Sequence, residues 1–500
     1  MARNDNLTDL LRDVAVAIRE KTNSASLINP QDFPERIAAI ETAGGQPEGT
    51  HTVQFIDVDG TILKSQYVAD GGSATPPANP TREKCQFVKW SDPYTNITRD
   101  TDVFAFYKSS DGNSWYKVKA NANDRMNLTI RCDTASPVII DWGDGSSDTA
   151  TERNRYIEFR HDYAEGFNGW VKVSSEGNHR LGSIESDGNP CVIEVVVGDK
   201  VATMGPVASQ MFNLRSIVIP DTVKEFEGYL FYNCQSLLSL ALPDGVKKIS
   251  MNKSLSMTGL RYVRLPETLT EMPANMLGRS YSLQGINIPE GVTSIGPSAF
   301  QGCSSLQSIA IPASVTSIGD SAFRGCANAV FSVNVNNFAP KAAVFMYCRR
   351  LTGNLNIIAD EIPHDAFAYT GITSLFCKAN KTTRTTGGGA FYGCEELTRV
   401  ELTDIKEIGS FTFNGCMALS LAIIGDTVTK IDSSAFLNCT TLARLVVKAV
   451  TPPTLASDAL KGCSKLTAIY VPDEAVEAYK AATNWIGYAA KIQPLSGFSE

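Results

Sequence analysis

The stretch Phe300-Gln-Gly-Cys303-Ser-Ser-Leu306-Gln-Ser-Ile309-Ala-Ile311-Pro312, continuing through Val315, Ile318, Gly319, Ala322 and Phe323, decides the fold. The next Cys is Cys326, 23 residues on. Moving back by the same interval lands on Ser280, Met257, Cys234 and Met211. Moving forward meets Cys326, Cys348, a degenerate rung near Tyr369, then Cys394, Cys416, Cys439 and Cys463. Twelve rungs in one register are the mark of a solenoid. Within a rung, Leu306, Ile309 and Ile311 alternate inward, as a short strand with one buried face requires. Pro312 ends the strand because it has no N–H for the ladder. The pairs Ala299-Phe300, Ala322-Phe323, Ala366-Phe367, Ala390-Phe391 and Ala435-Phe436 predict a short helical turn with its ring inward. One rung cannot bury these residues; stacked rungs, about 4.8 Å apart, can, and twelve would make a rod of roughly 55 Å.

The recurring F-x-x-C-x-x-L-x-x-I-x-I-P over about residues 205–475 resembles the BspA-like, or treponemal, class of leucine-rich repeats. The resemblance implies surface adhesins that bind host proteins or cells. The rungs near 329–340 and 369–378 depart from the pattern, so a bend or insertion is expected there. Pro472-Asp-Glu-Ala-Val-Glu-Ala-Tyr-Lys-Ala-Ala predicts a closing helix, capped by Asp473, over the last open edge.

Eight of the twelve cysteines (Cys234, Cys303, Cys326, Cys348, Cys394, Cys416, Cys439, Cys463) fill one slot of the repeat. A buried slot takes a small apolar side chain, and reduced Cys serves. Adjacent rungs come near disulfide range. Free thiols are nevertheless expected, because the start, MARNDNLTDLLRDVAVAIREK, has no apolar signal-peptide core. No apolar run reaches bilayer-spanning length, so no membrane insertion is expected. A net charge of −8 argues against a nucleic-acid partner, which wants a basic face.

Three pieces precede the solenoid. Residues 6–20 place Leu7, Leu10, Leu11, Val14 and Ile18 on one helical face. A second helix is expected after Asp32, with Phe33, Ile37 and Ile40 inward. These helices read either as a cap on the next domain or as an anchoring and oligomerising segment. The segment resembles the N-termini of phage tail and baseplate-associated proteins, which are assembled in the bacterial cytoplasm and released by lysis. Ala43–Gly49 is a linker by composition. Residues 51–110, with "FIDVDGTILKSQYVADGGSATPPANPTR", "FVKW" and "FAFYK", resemble the Listeria–Bacteroides β-repeat. Residues 111–200, with "IDWGDGS" at Ile140–Ser146, resemble the polycystic-kidney-disease-type immunoglobulin-like fold.

Several motifs invite a chemical reading. Asp57-Val-Asp59-Gly60-Thr61 matches the nucleophile motif of haloacid-dehalogenase-type phosphatases. The 45 residues after Thr61 hold no helix of a βαβ unit, however, and a hairpin turn explains the same residues. Asp141, Asp144 and Asp148 could ligate calcium, or simply form a turn. His51, His161, His179 and His364 lie in no zinc spacing. Gly387–Gly389 lacks the Lys-Ser/Thr of a phosphate loop and reads as a widened rung. No catalytic residue, metal or cofactor is expected, and the chain is read as no enzyme.

The reading is therefore a multidomain, mainly β chain. It comprises an N-terminal helical anchor (1–42), a linker (43–50), a β-repeat module (51–110), a β-sandwich (111–200), a right-handed leucine-rich-repeat solenoid of about twelve rungs (201–472) and a C-terminal cap (473–500). By strand alternation Tyr262, Arg264, Asn287, Phe376, Arg399, Glu401, Arg444 and Tyr470 point outward, with Val218, Ile423 and Val446 as apolar neighbours. This face either binds a partner or packs on the protein's own modules. The expected role is receptor binding in a phage tail, with a host protein or glycan on the face, virion partners at the N-terminus and a homo-oligomeric state. The alternatives are a bacterial cell-surface adhesin and a virion decoration protein with no receptor.

Overall fold

The computed structural model describes residues 47–499 except 92–93, 183–190, 206–210, 227–229, 247, 250–254, 333–339, 359–360 and 379–384. The anchor residues Leu7, Leu10, Leu11, Val14 and Ile18, and the second helix with Phe33, Ile37 and Ile40, lie outside the described residues. The chain forms two compact units, one of residues up to 55 with 63–77 and 92–103, the other of 56–62, 78–91 and everything from 104 on.

Strands β1 (Thr50–Ile56), β2 (Ile62–Ala69), β3 (Cys85–Trp90) and β4 (Thr101–Ser109) form a sheet ordered β2-β1-β4-β3. In the first unit Val53 and Phe55 are buried, and the Phe55 ring meets Tyr94 edge-on at 5.7 Å. Burial, with Asp100 adding to it, pushes the Asp102 carboxyl up to about 7.

In the second unit Asp57 N–H donates to Thr61 O and Gly60 N–H to Asp57 O, each at 2.9 Å. Gly60 has φ +85°, a left-handed conformation that suits glycine. The Asp57–Thr61 motif is thus a tight turn on an all-β module, which removes the strand-to-helix loop that a phosphatase nucleophile needs.

Nine further strands follow: β5 (Ser114–Ala120), β6 (Asp124–Cys132), β7 (Val138–Asp141), β8 (Ser147–Ala150), β9 (Tyr156–Tyr163), β10 (Phe167–Ser174), β11 (His179–Leu181), β12 (Val192–Val196) and β13 (Val201–Met204). They build two sheets, and both run on into the solenoid. β12 pairs antiparallel with β5 on one side and parallel with Ser216–Val218 on the other. β13 lies parallel to β11 and to Glu225–Phe226. The first rung therefore has no exposed edge, and one apolar core extends from Tyr116 to Ile492. A continuous ladder hides the row of unpaired N–H and C=O groups that a free solenoid end would present.

A typical rung has a main strand, such as Ser308–Ala310, and a two-residue second strand, such as Ser317–Ile318. Between them Phe300, Phe323, Phe345, Phe367, Phe391, Phe413 and Phe436 stack at centroid separations of 5.2–5.7 Å. The Ala-Phe segments close as hydrogen-bonded turns, with Cys303 N–H donating to Phe300 O, and not as helical turns. The Cys slot also does more than fill space. Cys326, Cys348, Cys394, Cys416, Cys439 and Cys463 each donate the thiol S–H to the phenylalanine carbonyl of the neighbouring rung at 3.0–3.3 Å. In three rungs a hydroxyl holds this slot, one of them Ser280, which donates to Leu255 O at 3.0 Å. Thr258 donates to Leu255 O and Thr370 to Phe367 O, so the other two slot residues are Thr258 and Thr370, each one place beyond the Met257 and Tyr369 of the sequence count. All twelve cysteines are free.

The expected interruption at 369–378 is instead the strand Gly371–Lys378, paired parallel with Thr352–Ile358 apart from a register shift at Gly353/Asn354. The longer strands replace the usual short rung. Residues 333–339 of the other departure lie outside the described residues. At the C-terminal end, Asp473 opens a short 3-10 turn that leads into helix α1 (Val476–Ala481) without a side-chain cap. Asp473 instead accepts the backbone N–H of Ser496 at 3.0 Å. Ile492–Pro494 pairs parallel with Ala468–Val471 as the last strand, so this strand covers the edge. Tyr479 and Trp485 pack beneath it, donating to Ala449 O and Pro453 O, each at 2.8 Å.

Candidate functional site

Within each sheet, strand register puts the sequence-chosen outward residues on one side of the strands. In the N-terminal rungs Tyr262 stands beside Gly285, and Arg264 between Ala241 and Asn287. In the C-terminal rungs a first column runs Asn354, Ser374, Arg399, Leu421, Arg444, Ala468. The next runs Asn356, Phe376, Glu401, Ile423, Val446, Tyr470, Gln493.

Sharing a side does not mean sharing solvent. Tyr262 and Arg264 are only 8% and 6% exposed. Ile56, Phe104 and Phe106 form an apolar cluster with Ala241 and Tyr262. The Arg264 guanidinium lies 5.2 Å from the Phe106 ring centre and donates to Leu242 O (3.0 Å) and Asp244 Oδ1 (2.8 Å). A desolvated guanidinium over an aromatic face with its N–H groups partnered is a stable packing unit. These two residues are therefore covered by the chain itself and offer no open surface.

The far end is covered in the same way. Leu495 and Phe498 pack on Leu421, Ile423, Val446 and Tyr470. The Arg444 Nη1 donates to Ser499 O at 2.9 Å, and its guanidinium lies over the Phe498 ring. Between the two covers the face is open. Val330 is 44% and Phe376 37% exposed. Around them lie exposed Asn354 and Asn356 and half-buried Asn287, Arg399 and Glu401. Arg399 Nη2 donates to Glu401 Oε2 at 3.4 Å.

The other sites read from the sequence resolve into structural bonds. Arg82 donates Nη1 to Asp57 Oδ2 (3.1 Å) and Asp59 Oδ2 (2.9 Å), and Nη2 to Glu194 Oε2 (3.1 Å). The Tyr107 hydroxyl donates to Asp57 Oδ1 at 2.7 Å. Burial alone would raise the Asp59 pKa; hydrogen bonds from Arg82 and Thr61 outweigh it and hold it low. Both motif aspartates are thus committed to Arg82. That residue stands 25 positions from Asp57 and 112 from Glu194, and no local sequence signal points to it.

In the "IDWGDGS" turn Asp141 accepts Gly143 N–H, Asp144 accepts the Ser146 N–H and hydroxyl, and Asp148 accepts Trp142 Nε1–H. The Ser146 hydroxyl is the main cause that brings Asp144 down to about 2. This is the turn reading of those carboxylates. Among the described residues no group of His, Cys, Asp and Glu is arranged to hold a metal. Burial pushes the Cys234 and Cys303 thiols up to about 12, which leaves them poor nucleophiles.

The BspA type leucine rich repeat region matches residues 203–352 and 360–483 in six copies, more than half of the chain. The chain belongs to the BspA-type leucine-rich repeat family. No curated protein matches it. Among solved structures, this BspA-type chain is similar to a leucine rich cell surface protein from Faecalibacterium prausnitzii (20% identity, 64% of this chain and 94% of that one, TM-score 0.36). It is also similar to leucine-rich repeat proteins from Bacteroides ovatus (19%, 64% and 96%, 0.35) and T. pallidum (22%, 48% and 83%, 0.23). The family match begins at residue 203, so the three N-terminal resemblances rest on their own residues. Repeats of this family are typically non-enzymatic binding architectures. Among the described residues no helix is long and apolar enough to cross a membrane.

Proposed function

We propose that this BspA-type chain is a bacterial cell-surface binding protein that takes a host protein or glycan on the open middle of its strand ladder. The observation that supports the reading is the contrast in cover along one face. Aromatic residues of the same chain shield both ends, while Val330 and Phe376 stay in water between them. An exposed aromatic flanked by amide side chains and a charged pair matches the composition of recognition surfaces. A tail-protein role would rest on residues 1–42, which lie outside the described residues.

The test is binding of the fluorescently labelled full chain to host epithelial cells by flow cytometry, with cells pretreated by protease or by glycosidase to separate the two ligand classes. Phe376→Ala combined with Val330→Ser should reduce the bound signal at least tenfold while the far-UV spectrum is kept. Equal binding by the variant would refute this patch.

A further inference from the structure

One backbone position, two residues after the inward Phe or Leu of the turn, takes a left-handed conformation in eleven rungs among the described residues. Asn233, Met257, Arg279, Gly302, Gly325, Tyr347, Tyr369, Gly393, Gly415, Asn438 and Gly462 all have φ between +58° and +81°. Glycine and asparagine enter this region at least cost, and a bulky residue there is an outlier. Two adjacent rungs nevertheless hold tyrosines, Tyr347 (φ +65°) and Tyr369 (φ +58°). Their rings stack at 4.7 Å and 16°. Tyr392, from the neighbouring column of the next rung, joins the row at 5.2 Å from Tyr369. Ala368 stands next to Tyr392 in that column and is small. Gly393 lies under the Tyr369 ring, where a Cβ would come within 2.7 Å of it. One rung further on, Phe411, a third left-handed aromatic (φ +59°), is 45% exposed. Backbone strain held in place by surrounding packing, and repeated in adjacent rungs, is a pointer to function.

The tyrosine row lies on the turn side of the rungs, away from the main ladder; positive charge gathers in sequence around its Tyr347 end, while Asp365 lies near Tyr369. Residues 320–352 carry Arg324, Lys341, Arg349 and Arg350 against the single acid Asp320, in a chain of net charge −8. Asp320 accepts the backbone N–H of Ala342, while no ion pair joins the four cations to a carboxylate among the described residues. Arg349 is tied to the row by its N–H, which donates to Tyr347 O at 3.0 Å. Arg324 and Met346 are ladder neighbours, since their carbonyls accept the N–H groups of Gly302 and Gly325. Tyr, Met and Arg are the residue types enriched where proteins bind proteins. The acids that follow in the sequence are Asp360, Glu361 and Asp365, then Glu395 and Glu396 on the rung of Tyr392.

We propose that Tyr347, Tyr369 and Tyr392, with Met346, Arg324 and Arg349, form a second docking surface on the turn side that takes an acidic segment of a partner protein. The tyrosines supply rigid contact area that loses little side-chain freedom on binding, and the guanidiniums pair with carboxylates. This surface is separate from the open ladder and does not depend on what binds there.

The repeat itself supplies the test, because Tyr347→Gly with Tyr369→Gly restores the residue that Gly302 and Gly325 hold in their own rungs. Fluorescence anisotropy would use a labelled pool of 15-residue peptides with Asp or Glu at alternate positions and Leu, Tyr or Ser between. The full chain should bind the pool saturably, more weakly as salt rises. The double glycine variant should bind at least tenfold more weakly, with an unchanged melting profile. Arg349→Glu with Arg350→Glu, at exposed positions, should show the same loss and carries the test if the glycine variant does not fold. Absence of saturable binding, or binding unaffected by these variants, overturns the proposal. Dextran sulfate bound as tightly as the peptides would also overturn it, since the surface would then be a general polyanion site.

Discussion

The outward columns of the ladder have two fates. Near Tyr262 and near Val446 they are sealed by Phe104, Phe106, Leu495 and Phe498; near Phe376 they meet water. Backbone geometry is the same in all three places, with parallel strands in matched register. The period-two rule thus gives the side on which a residue points but not whether the chain returns to cover it. Cover is decided by segments distant in sequence, and it converts exposed apolar rows into interior. What remains open is what the chain leaves for something else.

The sharpest break of this comparison is at the N-terminal cover. Phe106 is buried, contacts Ala241 and Tyr262, and receives the Arg264 guanidinium on its face. Phe106→Ala should cost about 3 kcal/mol, because it removes apolar burial and leaves a cavity, and it also deprives the guanidinium of its aromatic face. Native-state hydrogen exchange across 239–264 and 104–109 would read this destabilisation. Exchange unchanged in both segments would mean that the cover contributes nothing.

Next in size is the Arg82 node. Arg82→Ala leaves Asp57, Asp59 and Glu194 clustered without their cation, a loss of about 2–3 kcal/mol for a partly buried pair. Acid acts on the same bonds. Because Asp59 has a folded pKa below its ordinary value of 3.8, its contribution is full above that value and is lost as pH falls through the lower folded value. Proteolysis of the 78–91 segment should therefore accelerate below about pH 4 in the wild type. In Arg82→Ala it should already be fast at pH 7. A wild-type rate flat down to pH 2 would contradict this.

How much of the molecule is legible in its sequence follows the same division between inside and outside. The rung is written in the sequence because every copy solves one packing problem: Phe323, Cys326 and Ile309 recur, and their columns are found buried. A fixed 23-residue step back from Ser280 lands on Met257 and misses Thr258 by one place, because that rung is 22 residues long; the rung from Cys348 to Thr370 is also 22, so the step gives no exact position there. The thiol's hydrogen bond could be inferred from Ser280 and Thr370 in the same slot, residues that share little with Cys beyond a donor. Outside, the placement of Asn287, Phe376, Arg399 and Glu401 follows from alternation alone. The burial of Tyr262 and Arg264 does not, because it depends on packing against Phe104 and Phe106, about 160 residues away in the chain. The Arg82 node escapes for the same reason.

The smallest effect is the one that discriminates most cleanly, because it sets two phenylalanines on one face against each other. Phe498 is half-buried over Tyr470 at a ring separation of 5.1 Å, and Leu421, Ile423 and Val446 lie beneath the tail. Phe498→Ala should cost about 1 kcal/mol, from the apolar area returned to water, and should raise binding of an apolar dye as that row is uncovered. Phe376 has no such cover, so Phe376→Ala should change stability by less than about 0.5 kcal/mol and lower dye binding by removing an exposed ring. Urea denaturation of both variants gives the two energies side by side. If Phe376→Ala proved the costlier, the ring would be packing for its own chain, and the open middle of the ladder would be one more region of the protein's interior.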